Sequence, residues 1–194
     1  MGPRRDGGRM SQALDNYTSA VRSADAVIQQ IQGDQWSAPT PCDDWTVRDV
    51  VTHLCSPMAA IQAMATTGQV AAPEPIETSD PIGTWNATRD GVLEAISVPG
   101  ATSQVGEFWF GESSIDDILA FAAWDQLGHA WDIAVATGHD VDVDPAVVEA
   151  TIGVISANAD MLRSGGLMGD EITVDPDAPA IDRFIGLIGR NPNR

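Results

Sequence analysis

The sequence predicts a mainly α-helical protein, built as a bundle of four or more amphipathic helices. Two observations predict this class. Apolar residues recur at intervals of three and four over most of the chain, which is the spacing of one helix face. Capping residues stand where these segments begin, and glycines stand where several of them end. Short connections between such helices favour antiparallel packing in a bundle.

The first two helices are delimited by such signals. Residues 11–32 carry an apolar helical stripe and form the first predicted helix. The second helix is predicted to begin after Thr46, because Asp49 three residues later completes a capping-box-like arrangement. It ends near Gly68, and Pro57 would either kink it or end a shorter first segment.

The middle of the chain contains a loop, a third helix and an extended segment. Residues 69–80 form the predicted loop. Asp80 as N-cap and Pro81 at the first helical position begin a third helix that runs to about Ser97. Residues 103–110 are short, aromatic and bounded by glycine, so we expect a strand or an extended connection there.

The fourth helix is predicted to begin after Ser113 or Ser114, since either hydroxyl could cap it. Its first turn holds Asp116 and Asp117, where negative charge suits the helix dipole. It continues to Thr137, where the following glycine ends it.

The remaining chain is predicted to form a fifth helix and a short C-terminal helix. Residues 144–145, Asp-Pro, begin the fifth helix, which ends at residues 165–166, Gly-Gly. Residues 171–174, EITV, could form a strand. Residues 179–190 carry the pattern of a short final helix.

Length and composition predict one domain in a reducing compartment. The chain has 194 residues, which favours a single domain over residues 10–194. We expect this domain to be a monomer or a homodimer. Residues 1–9 are basic and glycine-rich with no apolar run behind them, so a disordered tail is expected rather than a secretory signal. The two cysteines form no Cys-x-x-Cys pair, and a cytoplasmic location is expected.

The charge of the chain restricts its partners. Ten Lys and Arg residues stand against 28 Asp and Glu residues, a net charge of −18. Such a surface repels phosphate backbones and anionic lipids, so neither nucleic acid nor a membrane is expected as a partner. No stretch approaches the roughly 20 apolar residues of a membrane span.

The fourth helix carries polar residues on an apolar face. At about 100° per residue, Asp125 and His129 fall inside or beside the sector of Ile115. They are four residues apart and therefore neighbours on that face. A carboxylate there is costly unless it is paired or binds a metal. Two interpretations stay open: an ion pair in a polar core layer, or two ligands of a metal site.

His53 on the second helix is a third candidate ligand. A lone histidine at the edge of an apolar stripe is more often a core or boundary residue. Together, His53, Asp125 and His129 offer two imidazoles and one carboxylate, which leaves a position open for water or substrate, as in catalytic zinc sites. Ferrous iron or nickel would also accept this set. Asp132 could accept an imidazole N–H from outside the set, or be an ordinary solvated or capping acid.

Five further residues are predicted to lie outside the candidate site. His139 is expected in an exposed loop, and Arg183 and Arg190 are expected on the surface. Cys55 points away from the histidine of its own helix. Cys42 could approach the site, although a buried or half-exposed thiol is the favoured interpretation.

Three segments of the chain carry the motifs of a known family. Residues 40–54, TPCDDWTVRDVVTHL, follow the pattern TPC-x-x-W-x-V-x-x-[LV]-x-x-H. Residues 110–138 hold an acid followed four residues later by His-x-Trp-Asp-[LI]-Ala-x-Ala-Thr-Gly. Residues 177–192 close on Ile-Gly-Arg-Asn-Pro, close to a typical Leu-Gly-Arg-x-Pro ending. The chain thus resembles an actinobacterial family of DinB-like bundles that includes mycothiol-dependent maleylpyruvate isomerases and related thiol transferases.

The resemblance implies a fold and a ligand set. The fold would be a DinB-like four-helix bundle with a short extra strand or extended segment and a short C-terminal helix. In this family a histidine on the second helix and an acid-x-x-x-His pair on a later helix bind a divalent metal. Carried over by motif, the ligands are His53, Asp125 and His129, with glutamate in the isomerase where this chain has Asp125. Zinc is the favoured metal, with nickel or iron as alternatives.

The resemblance also implies an activity. The metal would hold the sulfur of mycothiol or another small thiol as a thiolate, which would attack an electrophilic small molecule. Trp45 and Trp131 are expected to wall the pocket of this thiol transferase- or isomerase-like enzyme. A non-catalytic metal-binding or stress-related protein is the alternative, because no general base or nucleophile is evident beyond the metal.

Overall fold

The computed structural model describes residues 11–108 and 111–193, which form a helical bundle with a small two-stranded sheet. The α-helices of the described residues are α1 (Gln12–Ile28), α2 (Val47–Thr67), α3 (Pro81–Ser97), α4 (Ile115–Thr137), α5 (Pro145–Ser164) and α6 (Ala180–Leu187), and two short 3-10 helices span Gly33–Ser37 and Ala101–Ser103. Strand β1 (Val105–Phe108) pairs antiparallel with β2 (Gly111–Ser114). The predicted mainly helical, DinB-like fold is confirmed. The predicted disordered tail, residues 1–9, lies outside the described residues.

Helix α4 is the centre of the bundle because it packs on both of its sides. It pairs lengthwise with α1 and also contacts α2 and α5, while α3 packs on α2 and α6 packs on α5. One core cluster fills the space between α1, α2, α3 and α4, with Tyr17 and Trp85 fully buried. A second cluster joins α4 to α5 and α6 around Leu127 and Phe184. A helix buried on two sides must be apolar nearly all round.

The predicted end of the second helix is confirmed, and the predicted end of the first helix is corrected. Helix α2 continues through Pro57 to Thr67 and ends where Gly68 adopts a left-handed conformation with φ 73°. Helix α1 ends at Ile28, before the predicted limit of residue 32, because hydrogen bonds to the third preceding residue replace the α-helical pattern beyond it.

Residues 171–174 do not form the strand that their composition suggested. The Ile172 N–H donates to the Gly186 carbonyl in α6. The segment therefore packs against a helix, and neither strand of the described sheet pairs with it.

No helix within residues 11–108 and 111–193 combines the length and the apolar character that a membrane crossing requires.

The start of α4 gives a direct test of the local structure. Ser114 is the N-cap: its hydroxyl accepts from the Asp117 N–H, and the Asp117 carboxylate accepts from the Ser114 N–H. We expect Ser114→Ala to lower the free energy of unfolding by about 1 kcal/mol, because the Asp117 N–H loses the hydroxyl that accepts its hydrogen bond. Urea denaturation measures this. Ser113→Ala, one residue earlier in β2, is the matched control, and an equal loss in both variants would contradict the assignment.

Candidate metal centre

The three predicted ligand residues meet between α2 and α4. Asp125 and His129 lie one turn apart on α4, and His53 faces them from α2. Asp125 Oδ1 lies 3.4 Å from His53 Nε2 and 3.4 Å from His129 Nε2. One potential ligand atom from each residue lies within 4.8 Å of the other two. The structure thus brings together all three residues that the sequence singled out.

The cluster is closed on the α4 side and open on the α2 side. The side chain of His129 is 9% exposed, that of Asp125 is 19% exposed and that of His53 is 36% exposed. A small molecule from solvent would therefore reach the cluster past His53.

Asp132 and Arg190 complete the site behind His129. The His129 Nδ1–H donates to Asp132 Oδ2 at 2.8 Å. This is the predicted hydrogen bond from an imidazole N–H to an acid outside the three candidate ligands. Asp132 is fully buried, so its alternative interpretation as a solvated acid is wrong. Arg190 donates from Nε to Asp132 Oδ1 and from Nη2 to Asp132 Oδ2, at 2.7 Å each. The prediction that Arg190 is a surface residue is also wrong.

The position of Arg190 was predicted wrongly because it depends on tertiary contacts. After α6 the chain turns at Gly189, which has φ 86°, and this turn brings Arg190 back over α4. Asp132 and Arg190 are 58 residues apart, so no local pattern connects them. The signal that could have found the pair is the buried position of Asp132, which requires a cation or strong donors. By contrast, Arg183 pairs with Glu149 in a partly exposed ion pair.

Both carboxyl groups of the site are held in the ionised form. Burial alone raises the pKa of Asp125, but the His53 contact and the charge of His129 bring the pKa below its ordinary value. Burial likewise raises the pKa of Asp132, and hydrogen bonds from His129 and Arg190 outweigh it. A carboxylate only accepts hydrogen bonds, so His129 Nδ1 carries the proton. In the neutral ring, Nε2 then presents its lone pair to the cluster.

One predicted aromatic wall residue lies at the site and the other does not. The Trp45 ring centroid is 4.7 Å from that of His53 and 5.7 Å from that of His129, nearly parallel to the latter. Trp131 instead packs in the second core cluster, on the α5 and α6 side of α4. It was misplaced because the face of α4 opposite the ligands is also buried.

Cys42 borders the three candidate ligand residues and belongs to a second candidate group with His129 and Asp132. Its Sγ lies within 4.8 Å of ligand atoms of His129 and Asp132. Burial, followed by the charge of Asp132, raises the pKa of this thiol, so it stays protonated at neutral pH. Cys55 is buried at another point, where its thiol donates to the Val51 carbonyl, and burial raises its pKa to about 11.

Two polar groups were not identified correctly from the sequence. Tyr17 on α1 is fully buried, and its hydroxyl has no hydrogen-bond partner among the described residues. Burial, followed by the charge of Asp125, raises its pKa, so the hydroxyl is neutral. Tyr17 lies in the apolar stripe predicted for residues 11–32, and helical spacing alone does not distinguish it from the other residues of that stripe. His139, expected to be exposed, is half-buried.

Comparison with known proteins agrees with this architecture. Residues 17–134 match the family described as the mycothiol maleylpyruvate isomerase N-terminal domain. Uncharacterized proteins from Mycobacterium tuberculosis strains H37Rv and CDC 1551 are each 26% identical over 184 residues, which is 91% of this chain and 98% of each relative. No solved structure matches significantly. Because the family match covers more than half of the chain, this protein belongs to the mycothiol maleylpyruvate isomerase N-terminal domain family.

Proposed function

We propose that this protein binds one divalent metal ion through His53, Asp125 and His129 and uses it to activate a low-molecular-weight thiol, mycothiol in particular. The thiol would react with an electrophilic small molecule in a transferase- or isomerase-like reaction. The observation that carries the proposal is the convergence of two imidazoles and a carboxylate at one opening of the bundle. The name of the family to which the chain belongs supports mycothiol as the thiol.

The spacing of the three residues supports a metal ion. The two N···O separations of 3.4 Å exceed a good N–H···O hydrogen bond of about 2.9–3.0 Å. Ligand atoms about 2.0–2.1 Å from a tetrahedral ion lie about 3.3–3.4 Å from one another. The donor chemistry suits zinc best, and nickel or iron are the alternatives. Three protein ligands leave at least one position for an exogenous group.

The described residues around the cluster would each support thiol chemistry. A bound divalent ion would lower the pKa of a coordinated thiol and hold it as the nucleophilic thiolate. Asp132 keeps the proton of His129 on Nδ1, which leaves Nε2 free for the ion. Trp45 covers the imidazoles and limits access of water. The exposed edge at His53 is the entry for thiol and electrophile.

The Tyr17 hydroxyl would act from the α1 side. It is neutral, buried and without a described partner, so it can donate a hydrogen bond to a group held near Asp125. Such a donor stabilises negative charge without a proton transfer. A reducing cytoplasm, where a free thiol persists, is part of the proposal.

Spectroscopy with cobalt tests the thiol step. Protein loaded with Co²⁺ is expected to develop a sulfur-to-cobalt charge-transfer band when mycothiol is added. The same protein, loaded with Zn²⁺, is expected to convert mycothiol and an electrophile from a panel into a thioether adduct or isomerised product detected by mass spectrometry. His53→Ala is the control, because it removes the ligand at the opening.

The outcomes separate the two candidate functions. A thiol-induced band together with product supports the enzyme. Metal binding without a band or product would overturn the thiol proposal and leave the non-catalytic metal-binding protein. If the protein bound no metal, the cluster would instead be an ion-paired polar layer in the core of the bundle.

A further inference from the structure

Arg190 reaches the candidate metal centre from outside the part of the chain that the family match covers. The match ends at residue 134, and Arg190 follows α6. Its Nε and Nη2 groups contact the two oxygens of Asp132 at 2.7 Å each. Two parallel contacts fix both the position and the rotation of a carboxylate, which a single donor cannot do.

Asp132 passes this constraint on to His129. Its Oδ2 accepts from Arg190 Nη2 at 2.7 Å and from His129 Nδ1 at 2.8 Å. The carboxylate is fully buried, so solvent does not compete for these contacts. With Nδ1 tied to Asp132, the imidazole can turn little, and Nε2 is directed towards Asp125.

The backbone that carries Arg190 is held in turn by the α5 and α6 side of the bundle. The Arg190 N–H donates to the Ile185 carbonyl at 2.9 Å. Gly189 lies so close to Gly169 that an added Cβ would come within 2.7 Å of the Gly169 Cα. The arginine is therefore anchored at both ends, by its backbone and by its guanidinium.

We propose that Arg190 is a positioning residue of the metal centre, which acts through Asp132 to hold His129 in the orientation that binds the ion. The inference deepens the proposed function and rests on it, since it concerns the same centre. It makes metal affinity dependent on the segment after α6, outside the matched family region. In this role Arg190 acts on His129 through the Asp132 carboxylate, which both residues contact.

A double-mutant cycle in Zn²⁺ affinity tests the proposal. Affinities of wild type, Arg190→Gln, Asp132→Asn and the double variant are measured by competition with a chromogenic chelator. Arg190→Gln is expected to weaken Zn²⁺ binding by about 10-fold, which is typical of changes to residues that hold metal ligands in place without binding the metal. In the Asp132→Asn background the same change is expected to alter Zn²⁺ affinity by less than about 2-fold. Asp132→Asn already disrupts the contacts that connect Arg190 to His129. The Co²⁺ d–d spectrum of Arg190→Gln is expected to differ from that of wild type.

Controls distinguish this inference from the proposed function. Arg183→Gln removes an arginine of α6 whose partner is Glu149, and it is expected to leave Zn²⁺ affinity unchanged. Equal affinities of wild type and Arg190→Gln, or losses that multiply fully in the double variant, would overturn the positioning role. Wild type that binds no Zn²⁺ would instead overturn the proposed function and, with it, this inference. If Arg190→Gln does not fold, Arg190→Lys takes its place with the same outcomes, since it keeps the charge but loses the paired contacts.

Discussion

Replacing His129 by alanine is expected to abolish stoichiometric binding of divalent metal. His129 is the most buried of the three proposed ligand residues, and its Nε2 lies 3.4 Å from Asp125 Oδ1. Loss of a direct ligand costs more than the roughly 10- to 100-fold typical of an outer partner, so Zn²⁺ affinity is expected to fall by more than about 100-fold. Elemental analysis after dialysis and chelator competition both measure this.

The protein supplies its own control for that experiment. His139 lies beyond the end of α4, outside both candidate ligand clusters. His139→Ala is therefore expected to retain a full equivalent of metal, whereas His53→Ala is expected to lose it like His129→Ala. If His129→Ala retained a full equivalent of metal, the assignment of His53, Asp125 and His129 as ligands would be wrong.

Replacing Asp132 by alanine is expected to produce the largest loss of stability among the single changes considered. Asp132 is fully buried, and its removal leaves the mostly buried guanidinium of Arg190 without its partner. Breaking a buried ion pair on one side costs about 3–5 kcal/mol, because the remaining charge is left uncompensated. Urea denaturation of the metal-free protein measures this free energy without any contribution from metal binding.

Two comparisons make the stability result specific. The double variant Asp132→Ala with Arg190→Met removes both charges and is expected to recover much of the loss, since apolar replacements of buried pairs are often tolerated. Glu149→Ala breaks the partly exposed pair with Arg183 and is expected to cost no more than about 1 kcal/mol. A loss at Asp132 as small as that at Glu149 would contradict the buried-pair interpretation.

The positions of the proposed ligands on α4 could be predicted because helix geometry converts spacing in the sequence into position on a face. Asp125 and His129 are four apart, and the apolar pattern of α4 showed that their face is buried. Their partner His53 lies on another helix, so spacing offered it only as a candidate. Motif resemblance placed it in the same site, and the structure brings the three together.

The errors arose where tertiary packing decides the environment of a residue. Trp131 and Arg190 were misplaced because α5 and α6 pack on the second face of α4, and no local pattern reveals which elements cover that face. The helix starts were predictable because caps are local, as at Thr46 and Ser114. The conformation of residues 171–174 could not be predicted in this way, because a strand needs a partner strand that the surrounding fold must supply.

Anomalous diffraction at the zinc edge, from crystals of the protein grown with Zn²⁺, tests the metal assignment most directly. The predicted result is one strong peak between His53 Nε2, Asp125 Oδ1 and His129 Nε2, about 2.0–2.2 Å from each atom. A fluorescence scan that confirms bound zinc, combined with no peak among these three atoms, would contradict the assignment. A peak held instead by Cys42, His129 and Asp132 would contradict it as well, because that set is the other candidate ligand cluster of the described residues.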